Sequence, residues 1–162
     1  MTNSKEKNKD KLEIEEIAIV EFITNFNESN INLISKGSIN KKIHFGIQVV
    51  REIKLLSVDV IMAVVTKDVK ENIIAQLHTA CIFSNNSIEK ISKQDKIAAL
   101  SASIIDNILT ISISTTRGIF FSYLQNTPLS LTIFPLRNTR TISKKISKEG
   151  IPIQALETNR IK

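Results

Sequence analysis

The chain has 162 residues, 42% hydrophobic and 23% charged, with one cysteine, four glycines and a formal net charge of +6. That length allows one domain whose core removes roughly two-thirds of the unfolded chain's surface from water. The lone Cys81 excludes a disulfide framework and thiolate zinc sites, and glycines at 37, 46, 118 and 150 lie too far apart to cradle phosphates.

The charge is unevenly spread. Residues 1–28 hold four Lys against seven acidic side chains, whereas 136–162 hold seven Lys and Arg against two Glu. Aromatic residues make up only 5% of the chain, a poor supply of stacking platforms, which argues against a nucleic-acid partner. The apolar stretch after the lysine-rich start is broken by Glu13, Glu15, Glu16 and Glu21, unlike a signal-peptide core. No apolar run approaches the roughly 20 residues that span a bilayer. A cytoplasmic protein without membrane insertion is expected, in keeping with its single thiol.

Residues 1–11 have almost no apolar side chains to offset the entropy of ordering and are expected to form a flexible polar tail. From Glu13 to Phe26, β-branched residues among glutamates point to a strand. Asn25 to Gly37 reads as a polar connection. Ile39 to Val50 alternates, with Ile43, Phe45, Ile47 and Val49 on one face and His44, Gly46 and Gln48 on the other. Val58–Thr66 and Asn72–Phe83 flank a short charged link and predict a β-hairpin. On its second strand, Ile73, Ala75, Leu77, Thr79, Cys81 and Phe83 share the more apolar face.

After Gln94 the period changes. Ile97, Leu100, Ile104, Ile108 and Ile111 recur three or four apart and predict an amphipathic helix. Gly118 fits the position just past a helix end, so the helix is expected to stop at Thr116, with Phe120, Phe121, Tyr123 and Leu124 in a loop. Leu129, Leu131 and Ile133 then alternate as a short extended segment before Pro135. The core domain is expected over 12–137, followed at 138–162 by a basic tail or short helix.

Catalytic chemistry has little to stand on. His78 and Cys81, three apart on one strand, point to opposite faces, and no serine has the glycines of a nucleophile elbow. No catalytic residue, metal ligand or cofactor is expected. Phe120, Phe121, Tyr123 and Leu124, with Phe134 and Leu136, gather large apolar groups near a helix end; they either cap the core or make a contact surface.

Several local sequences, in order from Glu13 to Leu136, resemble the SecB family of export chaperones. Ala80-Cys81-Ile82-Phe83-Ser84 followed by Ile88 is similar to the family's Gly-Ile-Phe-Ser strand end. Arg117-Gly118-Ile119-Phe120 is similar to the Arg-Gly-x-Phe that closes its long helix, and Leu129-Ser130-Leu131 leads to Pro135-Leu136 where the family has Pro-Val. The family's Pro-Tyr-Ala-Arg-Glu helix stretch is missing, and the chain is basic where export chaperones are acidic.

The resemblance implies an α+β fold, a four-stranded antiparallel sheet packed by a long helix, assembled as a dimer of dimers. It implies an ATP-independent holdase that takes unfolded or precursor polypeptides at Phe120, Phe121, Tyr123, Leu124, Phe134 and Leu136. Ser112, Ser114, Thr115 and Thr116 would let helices approach across the tetramer interface, while Ile104, Ile108 and Ile111 hold the helix to its own sheet. The SecA motor is an implied partner, against which the basic C-terminal region argues. A SecB-like adaptor serving one dedicated partner, such as a toxin–antitoxin system, is the alternative.

Overall fold

The structure, a computed structural model, describes residues 12–50, 53, 55–85, 100–135 and 138–149. Four strands, β1 (Leu12–Thr24), β2 (Ile39–Val50), β3 (Leu55–Thr66) and β4 (Ile73–Asn85), form one antiparallel sheet in the order β1-β4-β3-β2. The helices are α1 (Glu28–Ser35), α2 (Ala102–Leu124) and α3 (Thr139–Glu149). This is the predicted α+β arrangement of four antiparallel strands with one long helix.

The hairpin forms because the alternation of β3 and β4 is consistent over its whole length. Val58, Val60, Met62 and Val64 pair with Cys81, Thr79, Leu77 and Ala75, so both apolar rows share the face beneath α2. Ile74 is the extra residue where the register shifts between Val64 and Val65, and it too is buried. α2 packs chiefly across β3 and β4, burying Ile105, Ile108, Leu109 and Ile113.

Between β1 and β2 the polar connection contains a helix. Asn27 caps it, its side chain accepting from the Asn30 amide at 2.8 Å, and the buried Asn30 amide group donates to the Asn25 carbonyl at 2.7 Å. At the other end Gly37 takes φ +66°, with Gly37 N–H bonded to Ile34 O and Ser38 N–H to Leu33 O. That pairing closes the helix and requires a left-handed residue at the glycine.

The long helix departs from expectation at its C-terminal end, while the stretch 94–99 where the period places its start lies outside the described residues. Its described part starts at Ala102, capped by Ser101, and it runs through Gly118 to Leu124. Gly118 therefore lies inside the helix, where glycine costs roughly 1 kcal/mol relative to alanine. Burial of Phe120 and Leu124, one and two turns beyond Thr116, offsets that cost, because they continue the buried line through Ser112 and Thr116. The extended segment expected at Leu129 to Ile133 is instead a turn, closed by Ser130 N–H to Thr127 O and Thr132 N–H to Leu129 O. Beyond it, α3 joins the domain by burying Ile146 and by a 2.9 Å hydroxyl contact between Thr139 and Thr110 of α2.

Candidate functional site

The six residues expected to bind polypeptide divide sharply. Phe120, Leu124 and Phe134 are core residues, with Phe120 at 0% exposure; α2 continues and turns Phe120 and Leu124 onto the sheet, and Phe134 packs on Phe120 from the segment beyond the helix. They line the interior and present no surface to a partner, which corrects their assignment as contact residues. Phe121 and Tyr123 face solvent at 47% and 42% exposure. Leu136 lies outside the described residues.

The buried and exposed rings nevertheless meet. Phe120 lies 5.4 Å from Phe134 between ring centroids and 6.3 Å, edge to face, from Phe22 of β1. Phe22 in turn stands edge to face with Tyr123 at 4.8 Å. The end of α2 is thus keyed to β1, and it leads to an apolar surface that sequence patterning alone does not reveal.

That surface is the helix-side row of β1. Ile14, Ile17, Ile19 and Phe22 pair with Phe83, Cys81, Thr79 and Leu77, so they share the face that α2 covers elsewhere. Because α2 sits over β3 and β4, the row on β1 stays open, with Ile14, Ile17 and Ile19 each 43–49% exposed. Contiguous exposed apolar surface of this kind marks a contact site. The glutamates of the same strand take the opposite face: Glu13, Glu16 and Glu21 pair with Ser84, Ile82 and His78, and Gln76 donates to Glu21 at 3.0 Å. The signal that points to the ledge is Ile14, Ile17, Ile19 and Phe22 on an edge strand, and only the strand order shows that β1 is an edge.

Of the four residues expected between helices of a tetramer, Ser112 and Thr116 are fully buried against their own sheet. Ser112 Oγ donates to Ile108 O at 2.7 Å, and Thr116 Oγ1 lies 2.5 Å from Thr79 Oγ1 of β4. Small hydroxyl residues here bring helix and strand together within one chain, correcting their assignment to an interface. Ser114 is exposed and Thr115 half-buried. Ile105, Leu109 and Ile113 carry the sheet contact with Ile108, leaving Ile104 and Ile111 half-buried at its margin.

Among the described residues, the titratable groups of the sheet fall on its two faces. His78 Nε2 lies 3.0 Å from Asp59 Oδ1 on the open sheet face, and Ser57 Oγ donates to the other carboxylate oxygen at 3.4 Å. The carboxylate stands between serine and imidazole, so the imidazole does not face the hydroxyl. Cys81 is in the core on the opposite face; burial, reinforced by the charge of Asp59, pushes its thiol pKa up, and a hydrogen bond with Ser112 only partly opposes this. Among the described residues no three His, Cys, Asp or Glu side chains converge as metal ligands, and no helix is long and apolar enough to cross a membrane.

Comparison with known proteins adds the fold relationship. The chain is similar to the SecB-like chaperone Rv1957 of Mycobacterium tuberculosis, solved in complex with a ChAD peptide from the Rv1956 HigA1 antitoxin. The match covers 78% of this chain and 90% of the other, with a TM-score of 0.52 and 9% sequence identity. The fold is SecB-like. No family model and no curated protein matches the sequence. The SecB-like relationship therefore rests on the order and packing of elements, with little identity in the residues that fill them.

Proposed function

We propose that this chain is an ATP-independent polypeptide-holding chaperone that receives extended apolar segments on the ledge formed by β1 and the end of α2. The observation that carries this is the open helix-side row of Ile14, Ile17, Ile19 and Phe22, keyed through Phe22 to the exposed Tyr123. An extended chain laid along such a row buries apolar surface without needing a particular sequence, the ordinary basis of promiscuous recognition. Unfolded chains are preferred because only they offer long apolar segments, and holding them follows from mass action without nucleotide. The SecB-like fold supports the reading, since the Mycobacterium neighbour is itself a chaperone holding a peptide.

A second reading is favoured by the same complex. Its peptide comes from an antitoxin, which supports, as the alternative for this chain, an adaptor devoted to a single partner. The two differ in selectivity: a general holdase binds many unfolded chains, whereas an adaptor binds one partner saturably and ignores denatured proteins. Export through the SecA motor would belong to the first, and assembly into a tetramer through the exposed side of α2, where Ser114 and Gly118 lie, is compatible with either.

The test is suppression of aggregation of a chemically denatured protein diluted into buffer with moderate salt and no ATP. Wild type at stoichiometric amounts should suppress aggregation. The Ile17→Ser, Phe121→Ser double variant should bind about tenfold or more weakly, each substitution removing roughly 1 kcal/mol at about 25 cal/mol per Å². Suppression that vanishes in salt, or a folded double variant as active as wild type, would sink the assignment of the ledge.

A further inference from the structure

The row of β2 facing α2 reads Ile39, Lys41, Ile43, Phe45, Ile47 and Val49, paired with Thr66, Val64, Met62, Val60, Val58 and Leu56. It is apolar at every position except Lys41. A cation in the core-facing row of a strand is an anomaly of patterning. The structure supplies its reason outside the sheet: Lys41 Nζ donates to the backbone carbonyl of Ile133 at 2.8 Å.

Ile133 belongs to the turn between α2 and α3. That turn is anchored at both ends in the core, with Leu129 at 1% and Phe134 at 3% exposure, yet between the anchors Leu131 is 92% and Ile133 70% exposed. Its own hydrogen bonds, from Thr127 N–H to Leu124 O through Thr132 N–H to Leu129 O, end one residue before Ile133. The lysine takes over where they stop. Phe134 touches Phe120, and Phe120 touches Phe22, so the turn is seated on the buried aromatic group that reaches across the sheet to β1.

We infer that Lys41 is a positioning residue for polypeptide binding, its ammonium fixing the turn so that Leu131 and Ile133 offer a second apolar surface on the β2 side of the sheet, away from the β1 ledge. This rests on the holding function proposed above. Two exposed aliphatic side chains on an untethered turn would lose conformational freedom each time a chain bound, and a tether made beforehand removes part of that cost. A charge-assisted bond from a lysine to a neutral carbonyl, open to solvent, suits this purpose: it orients a segment while adding little to global stability.

The test uses the full chain and, as probe, a reduced and carboxymethylated protein that stays unfolded, with a fluorescent label read by anisotropy. Lys41→Met should weaken binding about fivefold, the factor that a bond worth about 1 kcal/mol supports. Lys41→Arg, which keeps the donor, should restore most of it. The melting temperature of both should stay within about 2 °C of wild type, as expected for an exposed contact, while amide exchange at Thr132 and Ile133 should accelerate in Lys41→Met alone. In a Leu131→Ser, Ile133→Ser background, Lys41→Met should cost nothing further.

Wild-type binding with an unchanged Lys41→Met variant would overturn this inference and leave the holding function standing. So would an equal loss in both backgrounds, because the lysine would then act elsewhere, or a loss that merely tracks a fall in melting temperature. Absence of binding by wild type would overturn the holding function, and the role of Lys41 with it.

Discussion

Phe120 and Phe121 are adjacent phenylalanines with opposite fates, and truncating each to alanine tests the phase of α2. Phe120 is fully buried, with rings of Phe22 and Phe134 against it at 6.3 and 5.4 Å. Removing a buried phenylalanine side chain costs about 3–5 kcal/mol through lost transfer energy and the cavity left behind. Against a total stability of about 5–15 kcal/mol that is a large fraction. At about 2–4 °C per kcal/mol for a domain of this size, the melting temperature should fall by about 6–20 °C. Phe121→Ala, at 47% exposure, should stay within about 0.5 kcal/mol of wild type. Urea and thermal unfolding can be followed by far-UV circular dichroism and by the fluorescence of Tyr123, a clean local probe because the chain has one Tyr and no Trp. Coincident transitions at one protein concentration would justify two-state free energies. A Phe120→Ala shift below about 2 °C, or equal effects at the two positions, would mean that α2 does not continue in helical phase past Gly118.

Two further outcomes follow from the buried polar groups of the same interface. Thr116 Oγ1 spends its proton on Ser112 O at 2.8 Å, so across the 2.5 Å contact Thr79 must be the donor. Thr116→Val therefore strands a buried hydroxyl and should cost about 1–3 kcal/mol, whereas Thr79→Val should cost under about 1 kcal/mol. A double-mutant cycle by urea denaturation measures the coupling, and the reverse order of the single variants would refute the assigned donor. Burial raises the thiol pKa of Cys81, so the folded chain holds that proton to higher pH than the unfolded chain. The resulting stability is present below the unfolded thiol value of about 8.5 and is lost as pH rises from there towards the folded value. Urea midpoints compared between pH 7 and 10 should fall more steeply for wild type than for Cys81→Ala; parallel slopes would exclude the thiol as the cause.

The sheet was legible because period-two alternation in β2, β3 and β4 is long and rich in β-branched residues, and pairing follows from it. α1 was hidden by its composition: Asn27, Asn30 and Asn32 look like loop residues until Asn27 is seen as a cap and Gly37 as the left-handed residue that closes the helix. The end of α2 was misplaced for a related reason. Gly118 carries the usual signal for a helix terminus, but an interior glycine survives when residues beyond it bury enough apolar surface. Taking 119–124 as a loop erased the helical phase that separates Phe120 from Phe121, whereas Ser112 and Thr116 fall on the wrong side when Ile104, Ile108 and Ile111 are read as the sheet-facing line in place of Ile105, Ile108, Leu109 and Ile113. The ledge was out of reach for a different reason. A strand's own pattern tells which face is apolar, but whether a helix covers that face depends on where the strand sits in the sheet.

An open apolar row on an edge strand is ordinarily an aggregation hazard, since it offers side chains and unpaired backbone together. β1 separates the two. Its register breaks between Ile14 and Glu16 and again between Ile19 and Glu21, leaving Glu15 and Val20 as bulged residues that interrupt a regular ladder. Glutamates on the far face, Glu13, Glu16 and Glu21, discourage another copy of this strand from extending the sheet, because like charges would be brought together. A visiting chain on the helix side therefore meets Ile14, Ile17, Ile19 and Phe22 more readily than it meets a template for sheet growth. Its affinity would come mainly from apolar burial, which salt does not screen. The same strand can thus expose a sticky face and still keep the domain from polymerising through its edge.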